Sequence, residues 1–221
     1  MKCCRLRVLV ACGVVLGLVG ACRREQPATA PAGPESSPTD TIEKLLALRS
    51  AGKYDDMVPL IVAERGREVA ALLRAVDGFL AANQALYDHV RAHCSLELAE
   101  AIDQSDLGSH LGVFSPDVML VAEQVSGQEA TVAYSARGRL PLRHARLVRV
   151  AGAWRYDPGT GYDPKLPRAF DEMARGLRSL LADLKRQQPS AADVQENPQL
   201  LLTELSRRLA PGVRLLPDRP D

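Results

Sequence analysis

The stretch "VAALLRAVDGFLAANQALYDHVRAHC", residues 69–94, decides the fold because its apolar side chains recur at intervals of three and four residues. That spacing puts them on one face of an α-helix and leaves most charged and polar residues on the other faces. We therefore predict one long amphipathic helix with a buried apolar face. The residues of that face are Val69, Leu72, Leu73, Val76, Phe79, Leu80, Leu86, Tyr87, Val90 and Cys94.

Downstream of this helix the sequence changes to short runs rich in Val, Leu, Tyr and Thr. Runs of this kind, separated by glycine-containing dipeptides, are typical of antiparallel strands joined by tight turns. The predicted strands are 118–125, 130–136, 142–150 and 153–156. We expect the face of the sheet that carries Val132, Tyr134, Val148 and Val150 to pack on the long helix.

Shorter helices are predicted on both sides of the long helix and the sheet. A cap at Asp40 or Thr41 begins the first helix, and Ser95 caps a later one. The remaining predicted starts are near Asp55, at Pro164 or Pro167, and at Asn197-Pro198. This order predicts an α+β fold, in which N-terminal helices pack on a curved antiparallel sheet of about four strands and C-terminal helices follow.

The N-terminus has the composition of an export signal, with three basic residues before an apolar stretch at residues 8–19. The run Val19-Gly20-Ala21-Cys22 that follows resembles the lipobox of bacterial lipoproteins. The resemblance implies cleavage before Cys22, lipidation of that residue and anchoring to a membrane of the cell envelope, because several acyl chains together anchor stably. An ordinary secreted protein cleaved near Ala21 is the alternative.

Residues 23–40 are rich in Pro, Ala, Ser and Gly and have almost no large apolar side chain. Such a segment cannot bury enough surface to fold, so it predicts a semi-extended tether. In enterobacterial lipoproteins an aspartate after the lipidated cysteine favours the inner membrane, so Arg23 favours the outer membrane by the same resemblance. The predicted segments are a signal peptide 1–21, a lipidated tether 22–40, an α+β domain 41–160 and a C-terminal helical extension 161–221.

Cysteine content and charge exclude two classes of protein. Four of the five cysteines lie in or at the end of the signal, so Cys94 alone cannot form an internal disulfide framework. Removing the three basic residues of the signal leaves 25 basic against 27 acidic residues, a net charge of −2 in place of +1. Nucleic-acid binding proteins are usually strongly basic, so we expect no nucleic-acid partner.

The order of elements, together with "LLALRSAGKYDDMVPLI" at residues 45–61 and "RVAGAWRYDPG" at residues 149–159, resembles the cone-shaped superfamily of nuclear transport factor two and its SnoaL-like relatives. The resemblance covers residues 41–158. It implies a cavity between helices and sheet in which this superfamily places ligands and, in its enzymes, an acid/base pair.

Polar residues that would face such a cavity form the predicted ligand pocket. Asn83 falls on the apolar face of the long helix, and His144 and Arg146 point inward if the third strand is regular. The pocket, which would bind a small anionic or polar ligand, consists of Asn83, Tyr134, His144, Arg146 and Trp154. Two alternatives stay open: a bulge after Pro141 turns His144 and Arg146 to solvent, and Asn83 bonds to neighbouring backbone groups.

A second predicted surface is the alternate face of the strands, where arginines gather with no acidic residue between Glu129 and Asp157. Such a stripe can attract anionic lipid headgroups or an acidic partner, or it is the solvated side of the sheet. Its members are Arg137, Arg139, Arg143, Arg149 and Arg155.

His89 and His93 have the four-residue spacing of a metal-binding pair on a helix. At about 100° per residue, however, His89 points away from the apolar face that holds Cys94, so we predict no metal site and an exposed His89. The sequence also has no nucleophile elbow, zinc-protease motif or phosphate-binding glycine loop, and no cofactor is implied.

These observations favour a noncatalytic, membrane-tethered envelope domain that binds a small ligand or a partner protein. One alternative is a SnoaL-like enzyme with His144 as acid or base. Another is an assembly protein whose C-terminal helices pair with a second subunit.

Overall fold

Four antiparallel strands in sequential order form the sheet of this computed structural model. The structure describes residues 36–216, except 109–110, 137, 139 and 161–162. The predicted signal, Cys22 and nearly all of the tether lie outside the described residues.

In the described residues, four α-helices precede the sheet and three follow it, which confirms the predicted α+β fold. The helices are α1 (Pro38–Ser50), α2 (Tyr54–Met57), α3 (Gly66–His93), α4 (Leu96–Ile102), α5 (Leu166–Lys185), α6 (Ala191–Glu196) and α7 (Pro198–Val213). α3 is the predicted long helix, whereas α6 has no counterpart among the predicted helices.

The cap of α1 differs from the prediction. Ser37 precedes the helix, and its hydroxyl accepts a hydrogen bond from the Asp40 backbone N–H while the Asp40 carboxylate accepts one from the Ser37 N–H. This capping box moves the start of the helix to Pro38, a residue that suits a first helical position because its missing N–H would be unpaired there. The predicted cap at Ser95 is confirmed, since its side chain accepts from the Leu98 N–H.

The strands are β1 (Val118–Ser126), β2 (Glu129–Ala136), β3 (Arg143–Val150) and β4 (Ala153–Asp157), paired in the order β1-β2-β3-β4. A bulge at Val121 interrupts the pairing of β1 with β2. Ala151 and Gly152, which join β3 to β4, both have positive φ, as a type I′ hairpin turn requires.

That turn sets which face of β3 is buried. Two residues between the strands place Val150 opposite Ala153 and therefore Leu147 opposite Tyr156. Because opposite residues in an antiparallel pair share a face, Leu147 lies in the core with the aromatic residues of β4. The prediction that Val148 and Val150 face the core is wrong, since Val148 is half-buried and Val150 is 40% exposed.

The core face of the sheet is covered first by α1, which lies against β1, β2 and β4, and by a short 3-10 turn at Gly112–Phe114, which lies against β3. α3 packs most extensively along α5, where the rings of Phe79 and Phe170 meet edge to face at 5.5 Å. α7 then packs on α5 so closely that a Cβ on Gly176 would lie 2.4 Å from the carbonyl oxygen of Arg208.

The helices after the sheet share one core with the rest of the described residues, which belong to one compact unit. Most of their apolar side chains are buried inside the chain, whereas Leu200 and Val213 of α7 are 44% and 47% exposed. The buried residues are Phe170, Met173, Leu177, Leu180, Leu184, Leu201, Leu205 and Leu209. α3 has the length and composition of a membrane span, but much of it is buried, as in the core helix of a folded domain.

Candidate functional site

Asn83 is buried, and its side chain makes a structural contact rather than lining a pocket. This was the alternative to the pocket prediction for that residue. Its Nδ2 donates to Asp103 Oδ1 at 2.6 Å, and its Oδ1 accepts from the Gln104 backbone N–H at 3.0 Å. Burial opposes ionisation of Asp103, but hydrogen bonds from Asn83 and Ser105 outweigh it and lower the pKa of that carboxyl. Asn83 therefore fastens the chain after α4 to α3.

His144 and Arg146 point to solvent on the outer face of the sheet, so the prediction that they line a pocket is wrong. Arg146 is 56% exposed, and its guanidinium pairs with Glu129 at 2.8 Å and with Asp157 at 3.6 Å. β3 pairs with β2 without a bulge. The outward direction thus follows from the regular register of β3.

Tyr134 and Trp154 are buried on the core face, opposite to the face of His144 and Arg146. Burial raises the pKa of Tyr134, and Arg143 beside it offsets part of that rise. Trp154 lies under the guanidinium of Arg149, 5.6 Å from the ring centroid. The five predicted pocket residues therefore form no common cavity.

The predicted arginine stripe is also divided. Arg137 and Arg139 lie outside the described residues. Arg143 and Arg149 pair with Tyr134 and Trp154, so they lie on the core side of β3, near its two ends. Arg155 pairs with Val148 on the outer face, so the described members do not share one face.

His89 is half-buried rather than exposed as predicted. Its ring lies 4.5 Å from that of His93. Burial, His93 and Lys185 lower the pKa of His89. Within the part of the chain that the structure describes, no group of three or more His, Cys, Asp or Glu side chains could hold a metal ion.

A cleft of about 560 Å³ lies where the end of α1, α2, α3, the 3-10 turn and the start of β1 meet. Its floor is partly apolar and its polar groups converge, which is the usual composition of a small-molecule site. Side chains that matter for its chemistry are Leu46, Arg49, Tyr54, Asp77, Ser115 and Asp117.

Arg49 and Asp77 form the centre of this cleft. Nε of Arg49 donates to Asp77 Oδ2 at 3.0 Å and Nη2 donates to Oδ1 at 2.5 Å, a bidentate pair between α1 and α3. Nη1 donates to the carbonyl of Phe114. One guanidinium thus joins two helices and the 3-10 turn.

Tyr54 completes the group from α2. Its hydroxyl donates to Asp77 Oδ2 at 2.9 Å, and burial together with this bond raises the pKa of Tyr54 to about 12. The guanidinium of Arg74 lies 5.4 Å from the Tyr54 ring and pairs with Asp55 at 2.9 Å. Tyr54 therefore keeps its proton throughout the neutral range.

The charges and the hydroxyl group of the lining determine which ligand the cleft can take. Arg49 is neutralised by Asp77, and Asp117 at the rim gives the lining one positive and two negative groups. Ser115 accepts from the Leu111 N–H at 3.1 Å, and no described lining residue is a histidine that could activate its hydroxyl. A neutral or cationic ligand is favoured over an anion on this balance of charge.

Sequence reasoning missed this cleft because its parts lie on separate elements. Arg49 and Asp77 are 28 positions apart, and each follows an apolar residue of its own helix without any shared motif. The sequence offers one signal for the pair. Asp77 adjoins Val76 on the apolar face of the long helix, and a carboxylate beside a buried face favours a cationic partner from another element.

Comparisons of the chain with protein-family models, with curated proteins and with solved structures give no match. The lipobox and the cone-fold resemblance therefore stay predictions from the sequence.

Proposed function

We propose that the chain is a lipid-anchored, noncatalytic domain of the bacterial envelope whose cleft at Arg49 and Asp77 binds a small polar ligand that is neutral or cationic. The observation that carries the binding role is the cleft itself, in which a guanidinium, a carboxylate and a phenol are held by one another. Because these side chains are already held in place, they lose little conformational entropy when a ligand binds.

The anchor is supported by the sequence run Val19-Gly20-Ala21-Cys22 and by the low-complexity segment that follows. The first described helix begins after the capping box at Ser37, and about fifteen residues separate Cys22 from it in the sequence, which is the segment proposed as a tether. Arg23 favours the outer membrane as the site of the anchor.

The exposed position of His144 gives the enzyme alternative no support, because that residue was its acid or base. The charge of the cleft also changes the ligand class, from the small anionic or polar ligand expected near Arg146 to a polar ligand that is neutral or cationic.

The anchor is tested with Cys22→Ala and with Cys12→Ala as the matched control, since Leu9-Val10-Ala11-Cys12 fits the same pattern. We expect Cys22→Ala to abolish labelling of the protein by radioactive palmitate and to release the domain from the membrane fraction where the signal is still cleaved. Cys12→Ala keeps the label. Full labelling of Cys22→Ala would disprove the anchor assignment.

The cleft is tested by titrating n-butylammonium and, separately, butyrate while amide resonances are followed by NMR. We expect butylammonium to shift resonances around Asp77 and Ser115 at millimolar concentration and butyrate to shift them little. Asp117→Asn weakens the ammonium affinity about threefold, the scale of an exposed charge pair. Asp171→Asn, on an exposed part of α5, leaves it unchanged; equal binding of butyrate would contradict the proposal.

A further inference from the structure

We propose that the open edge of β1 binds an extended, basic segment of a partner protein as an additional strand. This inference rests on the proposed function in one respect: the proposed location in the cell envelope makes the partner another envelope protein. The surface, called the β1 edge, consists of residues 118–126.

The first observation is that β1 ends the sheet. Its neighbour in the strand order is β2, and among the described residues its backbone hydrogen bonds go to that strand alone. The outward N–H and C=O groups of an edge strand are a template for pairing with another chain. β1 presents this template over nine residues.

The second observation is the apolar surface along the same strand. Met119, Val121 and Val125 are 63%, 54% and 51% exposed. Backbone pairing alone does not offset the entropy lost when a flexible peptide becomes ordered, so strand addition also needs side chains to cover. These three residues provide that surface on both sides of the strand.

The third observation is that β1 has few of the features by which proteins block an edge. Lysine, proline and short length are the usual means, and β1 is long and contains neither residue. Its one charged residue, Glu123, is already engaged by Thr39, whose backbone N–H and hydroxyl donate to it at 3.0 and 2.6 Å. Apart from Glu123, the bulge at Val121 is its one such feature, and it leaves residues 122–126 in regular pairing with β2.

Charge selects the partner. Residues 117–136, which form the first hairpin and its approach, contain three acidic residues and no basic residue. Glu129 pairs with Arg146 of β3, so the acidic groups left near the β1 edge are Asp117 and Glu123. A basic segment is attracted to this hairpin, whereas a second copy would bring two acidic edges together and an anionic lipid surface would be repelled. The occupant that fits is therefore a peptide segment that alternates apolar and basic side chains.

The probe for this site is a fluorescein-labelled nonapeptide of alternating lysine and valine. Its affinity for the full-length protein in nonionic detergent is measured by fluorescence anisotropy. We expect saturable binding, at least tenfold weaker binding of the same peptide with glutamate in place of lysine, and at least tenfold weaker binding when alternate backbone amides are N-methylated. N-methylation keeps the charge and removes the donors that strand pairing requires.

Two variants locate the site. Val125→Lys changes the β1 edge, and Val150→Lys adds the same charge at an exposed valine of β3, a strand paired on both sides. We expect Val125→Lys to weaken peptide binding at least fivefold and Val150→Lys less than twofold.

Three results would overturn the proposal. The N-methylated peptide could bind as tightly as its parent, which would mean that charge alone attracts it. The two lysine variants could weaken binding equally. Sedimentation could show a dimer that Val125→Lys dissociates, which would make a second copy the occupant. None of these depends on lipid at Cys22, so a failure of the anchor and a failure of this site are distinguishable.

Discussion

The two edges of the sheet differ in what covers them. At β4, the chain between α2 and α3 folds back so that Ile61 bridges to Tyr156 and the Val62 N–H donates to the Tyr156 carbonyl at 3.0 Å. At β1, no described segment takes that place. Ile61 is fully buried, whereas Val121 at the other edge is 54% exposed.

In this fold a segment outside the sheet covers the edge at β4. An uncovered edge at β1 is therefore not a necessary property of the sheet. Side chains at the β4 edge contribute to the core, and those at the β1 edge contribute little to it. We therefore expect substitutions at β4 to change stability and substitutions at β1 to change binding.

The largest expected effect is that of Ile61→Ala, which leaves a cavity beside Tyr156. Loss of a fully buried isoleucine lowers the free energy of unfolding by about 2–4 kcal/mol, measured by urea denaturation. Val121→Ala is the matched control and changes it by less than about 0.5 kcal/mol. Equal losses of stability in the two variants would contradict the expected difference between the two edges.

A smaller effect is expected where β1 does support the fold, at Glu123. Glu123→Gln removes the charge that accepts both hydrogen bonds from Thr39 at the first turn of α1, where a negative group is also favoured by the helix dipole. We expect a loss of about 1 kcal/mol and faster hydrogen exchange of the first α1 amides. Glu129→Gln, which loses an exposed pair with Arg146, serves as control; an equal loss there would remove the special role of Glu123.

The smallest expected effect is a gain in stability at the turn before β4. Ala151 has φ of +52°, a left-handed conformation that costs an alanine about 1 kcal/mol. Ala151→Gly relieves that strain and raises the free energy of unfolding by about 0.5 kcal/mol after the added freedom of the unfolded chain is counted. Gly127→Ala, at the turn beside β1 with φ of +61°, has the opposite sign. Thermal melts of both variants check the prediction.

The sequence predicted the elements well because each has its own period. Val69 to Cys94 indicated α3, and the observed helix ends at His93. The glycine dipeptides separated the strands at the observed turns, since glycine favours the positive φ of a tight hairpin. These signals are local and need no knowledge of tertiary contacts.

The face of β3 was not predictable from its composition. One alternating set contains Ala145 and Leu147 with two arginines, and the other contains Val148 and Val150 with His144 and Arg146. Each set has two apolar and two charged or polar residues, so hydrophobicity cannot choose between them. The two-residue turn before β4 does choose, because it ties Leu147 to Tyr156.

The cleft was even harder to predict from the sequence than the buried face of β3. The burial of Asn83 and its need for partners followed from its position on α3, but Asp103 and Gln104 lie beyond another helix. Arg49 meets Asp77 only after α1 has packed beside α3. Contacts of this kind depend on packing between elements, and one sequence carries no local record of them.

The two hairpins of the sheet carry charges of opposite sign. Residues 117–136 carry three acidic and no basic residues. The described strands β3 and β4 carry four arginines, and the strand order puts them in the half of the sheet away from β1. These are Arg143, Arg146, Arg149 and Arg155. If the proposed lipid anchor holds the domain within the screening length of about 8 Å from anionic headgroups, attraction of these arginines and repulsion of the acidic hairpin would exert a torque on it. That torque would turn the β3–β4 half of the sheet toward the bilayer and the β1 edge toward the aqueous space.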